Sequence, residues 1–203
     1  MNPDHHGGLQ CHMSPIRAVT VYCSSSRHVD GVYTQAAHDL GAAIASQNWL
    51  LVYGGNHIGC MGALADAARD AGGKVIGITP QLLVDDGIAD EECDELVVTS
   101  GMRERKELME QRGDAFVTLP GGLGTLEEVF EIIVGRMLGY HSKPIVLLNV
   151  NGFYDPLLAM IEHGIEQRFI KAKARDAYFV AEDVRQTIEY LAKASQARAG
   201  YET

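Results

Sequence analysis

Six short apolar runs, interleaved with longer stretches of helical periodicity, constrain this chain more than any other feature. The runs are AVTVYC (18–23), WLLVYG (49–54), KVIGIT (74–79), ELVVT (95–99), AFVTL (115–119) and PIVLLNV (144–150). Most are apolar without strict alternation, the pattern of strands covered on both faces. Between them lie VYTQAAHDLGAAIASQN, GALADAARDAG, RERKELMEQRG and TLEEVFEIIVGRMLGY, each with apolar residues at helical spacing. Strand alternating with helix specifies βαβ units. Right-handed crossovers then build an α/β, Rossmann-like doubly wound fold, a parallel sheet with helices on both faces. YDPLLAMIEHGIEQRF and AEDVRQTIEYLAKAS read as closing helices. Gly72, Gly73 and Gly113 stand where a left-handed residue would end a helix.

The 203 residues, 46% hydrophobic and 22% charged, suit one domain with a single large core. Neither a repeat nor a linker divides the chain, so residues 16–203 are expected to form one nucleotide-binding catalytic domain. Residues 1–15, with His5, His6, Cys11 and His12, are expected to be a flexible leader or an expression remnant, not a metal site. No run approaches the roughly 20 apolar residues of a membrane span. The cysteines Cys11, Cys23, Cys60 and Cys93 form no C-x-x-C pair, and the start lacks a secretory signal, so the expected compartment is the cytoplasm. A formal charge of −10 argues against a nucleic-acid partner but leaves room for a small phosphorylated ligand.

In such sheets ligands bind where strands end and the chain turns into the next helix. Four turns there are candidates for chemistry. CSSSRHVDG (23–31) offers serine hydroxyls for a phosphate or sugar, or is a polar loop capping the next helix. YGGNHIGCMG (53–62) places Gly54, Gly55, Gly59 and Gly62 between strand and helix. These glycines either let the backbone approach an anion or make tight turns. It is neither a P-loop nor a clean dinucleotide fingerprint. GMRERKELME (101–110) puts Arg103, Arg105 and Lys106 at a helix start, where cations are disfavoured. A bound anion or an acid from elsewhere would offset them, or else Glu104, Glu107 and Glu110 do so along the same helix. In PGGLGTLEE (120–128), Thr125 and Glu128 match a capping box, which by itself needs no substrate.

Taken together, PGGLGTLEE, MRERK (102–106), YGGNHIGCMG and LGYHSKP (138–144) resemble the LONELY GUY (LOG) proteins, cytokinin riboside 5′-monophosphate phosphoribohydrolases. The wider family is often labelled lysine decarboxylase-like. The likeness runs from about Ile16 to the last helix. It implies a Rossmann-like homodimer that splits a nucleoside 5′-monophosphate into base and ribose 5-phosphate, with no metal or other cofactor. By position it implies Arg105 and Glu128 as the catalytic pair. Substrate contacts would come from Ser24, Gly54, Gly55, Gly59, Met61, Gly62, Met102, Lys106, Pro120, Gly121, Gly122, Gly124, Thr125 and Glu127. Against the family pattern, Ser24, Asn56 and Gly87 stand where two glycines and a glutamate are expected. Arg103 replaces a histidine, IVGRM (133–137) replaces a tryptophan-rich stretch, and Asp85 or Asp86 could substitute for the glutamate.

Breaking a C1′–N bond builds positive charge on the ribose and negative charge on the base. A carboxylate and a guanidinium suit those two charges. Two rivals stay open. A pyridoxal-phosphate decarboxylase would need a Schiff-base lysine, and Lys74, Lys106 and Lys143 lack a convincing cofactor context. A non-catalytic nucleotide carrier or sensor would use the same cleft without turnover.

Overall fold

The computed structural model describes residues 15–199; the expected leader, with its histidines and Cys11, lies outside them apart from Pro15. Seven strands form one parallel sheet in the order β4-β3-β2-β1-β5-β6-β7. They are β1 (Ala18–Tyr22), β2 (Leu50–Tyr53), β3 (Val75–Pro80), β4 (Glu95–Thr99), β5 (Ala115–Thr118), β6 (Ile145–Leu148) and β7 (Phe179–Ala181). The helices are α1 (Gly31–Ser46), α2 (Gly59–Asp70), α3 (Gln81–Asp85), α4 (Met102–Arg112), α5 (Leu123–Leu138), α6 (Asp155–Glu166) and α7 (Val184–Ala199). The doubly wound architecture read from the sequence is the one that forms. It differs by β7 and α3. The three residues of β7 are too few to show a period, and α3 is a turn and a half with no buried residue.

The apolar strands explain themselves in the layers. Val19, Val21, Leu51, Tyr53, Ala115, Val117, Val146 and Leu148 face a core shared with α1, α2 and α7. The residues between them, such as Tyr22, Val52, Phe116, Ile145 and Leu147, face a second core against α4 and α5. With both faces covered, successive side chains are buried on opposite sides and the alternation vanishes from the sequence. Helix α5 shows the opposite case. Val129, Ile132 and Ile133 are buried, while Phe130, Val134 and Leu138 form an exposed stripe at four-residue spacing.

The glycine punctuation needs correction. Gly72 does adopt the left-handed conformation, with φ 76°, but Gly73 and Gly113 do not. Gly113 is extended (φ −93°), and its reason is close approach: a Cβ there would lie 2.2 Å from Thr20 Oγ1 and 3.1 Å from the Thr20 nitrogen. Thr20 Oγ1 in turn donates to Met109 O at 2.8 Å, stitching β1 to the end of α4. One left-handed terminator that the sequence hid is Gly139, φ 84°, at the end of α5.

The HSKP segment that follows is a brace. The Lys143 amide donates to His141 Nδ1 (3.2 Å), which leaves Nε2–H to donate to Ile132 O of α5 (2.9 Å). Lys143 Nζ reaches Glu110 O of α4 at 2.5 Å and stands over the Phe116 ring. Burial holds the His141 pKa below its ordinary value, consistent with a neutral ring. The ends of β1 and β5 lie side by side where the chain's direction of winding reverses, the position at which such sheets hold ligands.

Gly113→Ala is expected to destabilise the protein by about 1–3 kcal/mol, because backbone and a bonded hydroxyl cannot yield to the added methyl. Gly31→Ala, with nothing within 4 Å of its Cβ, is expected to stay within about 0.5 kcal/mol. Urea midpoints of the two variants provide the measurement.

Candidate active site

One strand and two segments that follow strands meet on one side chain. Arg105, one turn into α4, is 4% exposed and points back over the sheet edge. Its Nε donates to Ile78 O of β3 (2.9 Å), its Nη1 to Glu128 Oε1 of α5 (2.7 Å), and its Nη2 to Gly54 O after β2 (3.4 Å). Glu128 is itself only 5% exposed. Burial pushes its pKa above the ordinary carboxylate value, and the neighbouring guanidinium pulls part of the way back. The result is a desolvated ion pair at the switch point of the sheet.

Gly54 makes room for it. A Cβ there would sit 2.2 Å from Arg105 Nη2 and 2.9 Å from Met61 Cε, so the first glycine of the loop admits the arginine and Met61. Gly55 and Gly59 have φ of 68° and 61°. A Cβ on Gly59 or Gly62 would meet the carbonyl oxygens of Ser26 and His57 at 2.4 and 2.3 Å. A left-handed backbone accounts for Gly55 and Gly59, and close approach for Gly54, Gly59 and Gly62. Asn56, where the resemblance implies a glycine, is buried, and its Oδ1 accepts the Ile58 amide at 2.9 Å.

The capping box is overturned. Helix α5 begins at Leu123 with Gly122 as N-cap and without a side-chain cap, so Thr125 already lies inside the first turn and is buried. Glu128 turns inward onto Arg105 instead of back along its helix. Pro120 is buried, and a Cβ on Gly121 would collide with Thr125 Oγ1 at 2.2 Å, while Gly122 and Gly124 are open. The first-turn amides of α5 have no acceptor within the helix.

Two of the three cations at the start of α4, Arg105 and Lys106, are balanced from elsewhere. Lys106 Nζ pairs with Glu127 and, at 3.0 Å, with Glu131, both on α5. The bond to Glu127 raises the Lys106 pKa. Of the acids on α4, Glu104 accepts the Ser100 amide and hydroxyl (2.8 and 2.7 Å) and Glu107 accepts from Gln111. The offset comes from the neighbouring helix. Met102, at the start of α4, is 49% exposed.

The first turn is seen in its capping role. Asp30 caps α1 through the Val32 amide (3.2 Å), and Ser24 O accepts the Met61 amide (3.3 Å), joining the turn to α2. Asp85 and Asp86 are exposed at the end of α3, and Asp85 accepts from Gln81 at 2.8 Å in its own helix. Gly87 has φ 68°, a terminator's conformation that would strain a glutamate. Among the described residues no three His, Cys, Asp or Glu side chains are grouped to hold a metal, and no helix is long and apolar enough to cross a membrane. Cys23, Cys60 and Cys93 carry free thiols. Three partners escaped the sequence. Glu131 was findable, four residues beyond Glu127 on the same helix face, whereas the Ile78 and Gly54 carbonyls have no side-chain signal.

The family model described as "Possible lysine decarboxylase" matches residues 61–191. A protein of Oryza sativa subsp. japonica named probable cytokinin riboside 5′-monophosphate phosphoribohydrolase is 42% identical over 178 residues, 88% of this chain and 73% of the relative. The cytokinin riboside 5′-monophosphate phosphoribohydrolase of Mycobacterium tuberculosis is 41% identical over 175 residues, covering 86% of this chain and 92% of that one. Among solved structures, the Moco carrier protein of Chlamydomonas reinhardtii superposes with a TM-score of 0.68 at 24% identity, covering 91% of this chain and 99% of that one. At that identity the likeness is one of fold. The motifs, the fold and the relatives agree: the chain belongs to the LONELY GUY family, within the wider lysine decarboxylase-like group.

Proposed function

We propose that the chain hydrolyses the N-glycosidic bond of adenosine 5′-monophosphates, N6-modified ones included, releasing free base and ribose 5-phosphate. The observation that carries this reading is the buried Arg105–Glu128 pair, set in the two family motifs at the switch point of the sheet. Glu128 is the carboxylate that stabilises the ribosyl cation and orients or deprotonates the attacking water. Arg105, fixed by carbonyls on two sides, presents a rigid cation to the leaving base or the phosphate. Glu127 holds a ribose hydroxyl and Lys106 contacts substrate. The uncapped start of α5, with Gly121, Gly122, Gly124 and Thr125, receives the 5′-phosphate, whose binding orients the reacting bond. Ser24, Gly54, Gly55, Gly59, Met61, Gly62, Met102 and Pro120 complete the cleft wall.

The same reading includes a homodimer in the cytoplasm. Phe130, Val134 and Leu138 on α5, with Phe169 beside them, line an apolar depression of about 340 Å³ that a second copy would cover. Light scattering is expected to give twice the chain mass, and Phe130→Glu with Leu138→Glu to give the mass of one.

Incubation with AMP and with isopentenyladenosine monophosphate is expected to yield base and ribose 5-phosphate by chromatography; nucleotide returned intact would favour a carrier or sensor. Glu128→Gln is expected to lower turnover by about 100-fold or more with the circular dichroism unchanged. Since Glu128 acts ionised and burial raises its pKa, activity should fall as pH drops through a limb above the ~4.3 of a free glutamate. That limb should be absent from the residual activity of Glu128→Gln.

A further inference from the structure

Beneath the Gly54–Gly55 turn lies a buried polar cluster that the proposed reaction leaves unused. Asp90 is 2% exposed. Its Oδ2 accepts Tyr53 Oη at 2.5 Å and Arg69 Nη1 at 2.8 Å, and its Oδ1 accepts the Glu92 amide at 3.1 Å. Arg69 is held in turn by Asp66 at 2.5 Å. Burial raises the Asp90 pKa, but the bonds from Tyr53 and Arg69 outweigh it and hold the carboxyl below the usual range. A buried ion pair is weak evidence for stability, since apolar residues of the same shape often serve as well. Its use lies in what it holds.

What it holds is the turn that faces Arg105. The Asp90 amide donates to Gly55 O at 2.9 Å, the His57 amide donates to Ile88 O at 3.2 Å, and Asn56 pairs antiparallel with Ala89. Residues 88–90 therefore splint residues 55–57. The turn needs a splint: Gly55 is left-handed, and neither glycine has a side chain to pack. Tyr53, anchored through its hydroxyl, directly precedes Gly54, whose carbonyl accepts the longest of the three Arg105 bonds at 3.4 Å.

We infer that Asp90 is a positioning residue: through Tyr53 and Gly55 it fixes the Gly54 carbonyl, so that Arg105 meets Glu128 in one orientation. The inference rests on Arg105 and Glu128 being the reacting pair. The experiment compares Asp90→Ala, Asp90→Asn and Tyr53→Phe with wild type in steady-state hydrolysis of AMP, alongside hydrogen exchange of the Arg105 Nε–H in ¹⁵N-labelled protein. A misplaced group of this kind lowers turnover by about 10- to 100-fold. Asp90→Ala is expected to lower kcat in that range with KM within about threefold, and Asp90→Asn, which keeps an acceptor, to recover much of it. Tyr53→Phe, which keeps the ring, is expected to lower kcat by about threefold or more. Arg105 Nε–H should exchange about tenfold faster in Asp90→Ala. A lowered melting temperature with kcat unchanged in the folded protein would overturn the proposal. Should Asp90→Ala fail to fold, Tyr53→Phe decides, and kcat equal to wild type overturns it. If wild type itself does not hydrolyse nucleotide, the functional reading fails, and unchanged Arg105 exchange in the variants sinks the positioning role separately.

Discussion

A guanidinium cannot lose its charge at any accessible pH, so burying one obliges the surrounding structure to answer it. Arg105 is buried, and the answer comes from three parts of the chain: the Ile78 carbonyl, the Gly54 carbonyl and the Glu128 carboxylate. Removing the acid alone would strand a charge in a low-dielectric site, a loss of about 3–5 kcal/mol in comparable pairs. The end of β3, the turn after β2 and the inward face of α5 are thereby fixed relative to α4. The geometry offered to a substrate follows from that one constraint.

Much of this was legible in the residues, for identifiable reasons. The parallel sheet could be read because burial on both faces erases alternation, and six runs such as AFVTL and PIVLLNV say so directly. β7 and α3 stayed hidden because elements of three and five residues complete too little of any period. Arg105 announced itself as a cation at a helix start, a placement that local electrostatics disfavours. Its partner could not be settled from spacing alone, since Glu128 lies three residues beyond Thr125 and so fits a cap as well as it fits chemistry. Position decided it: α5 begins at Leu123, too early for Thr125 to cap it.

The glycines teach the complementary lesson. A glycine marks either a backbone conformation or a close approach, and the letter does not say which. Gly72 is the first kind, Gly113 the second, and Gly54 belongs with Gly113, its missing side chain leaving space for Arg105 and Met61. The backbone groups that complete the site, the carbonyls of Ile78 and Gly54, are equally silent in sequence, because every residue has one.

The bonds between α4 and α5 are of two unequal kinds. Arg105 and Glu128 are sealed from solvent, whereas Lys106 grips Glu127 and Glu131, whose side chains are 58% and 52% exposed. Dissolved ions screen the second kind and scarcely reach the first. Rising ionic strength therefore loosens the outer clasp while the inner one stays shut.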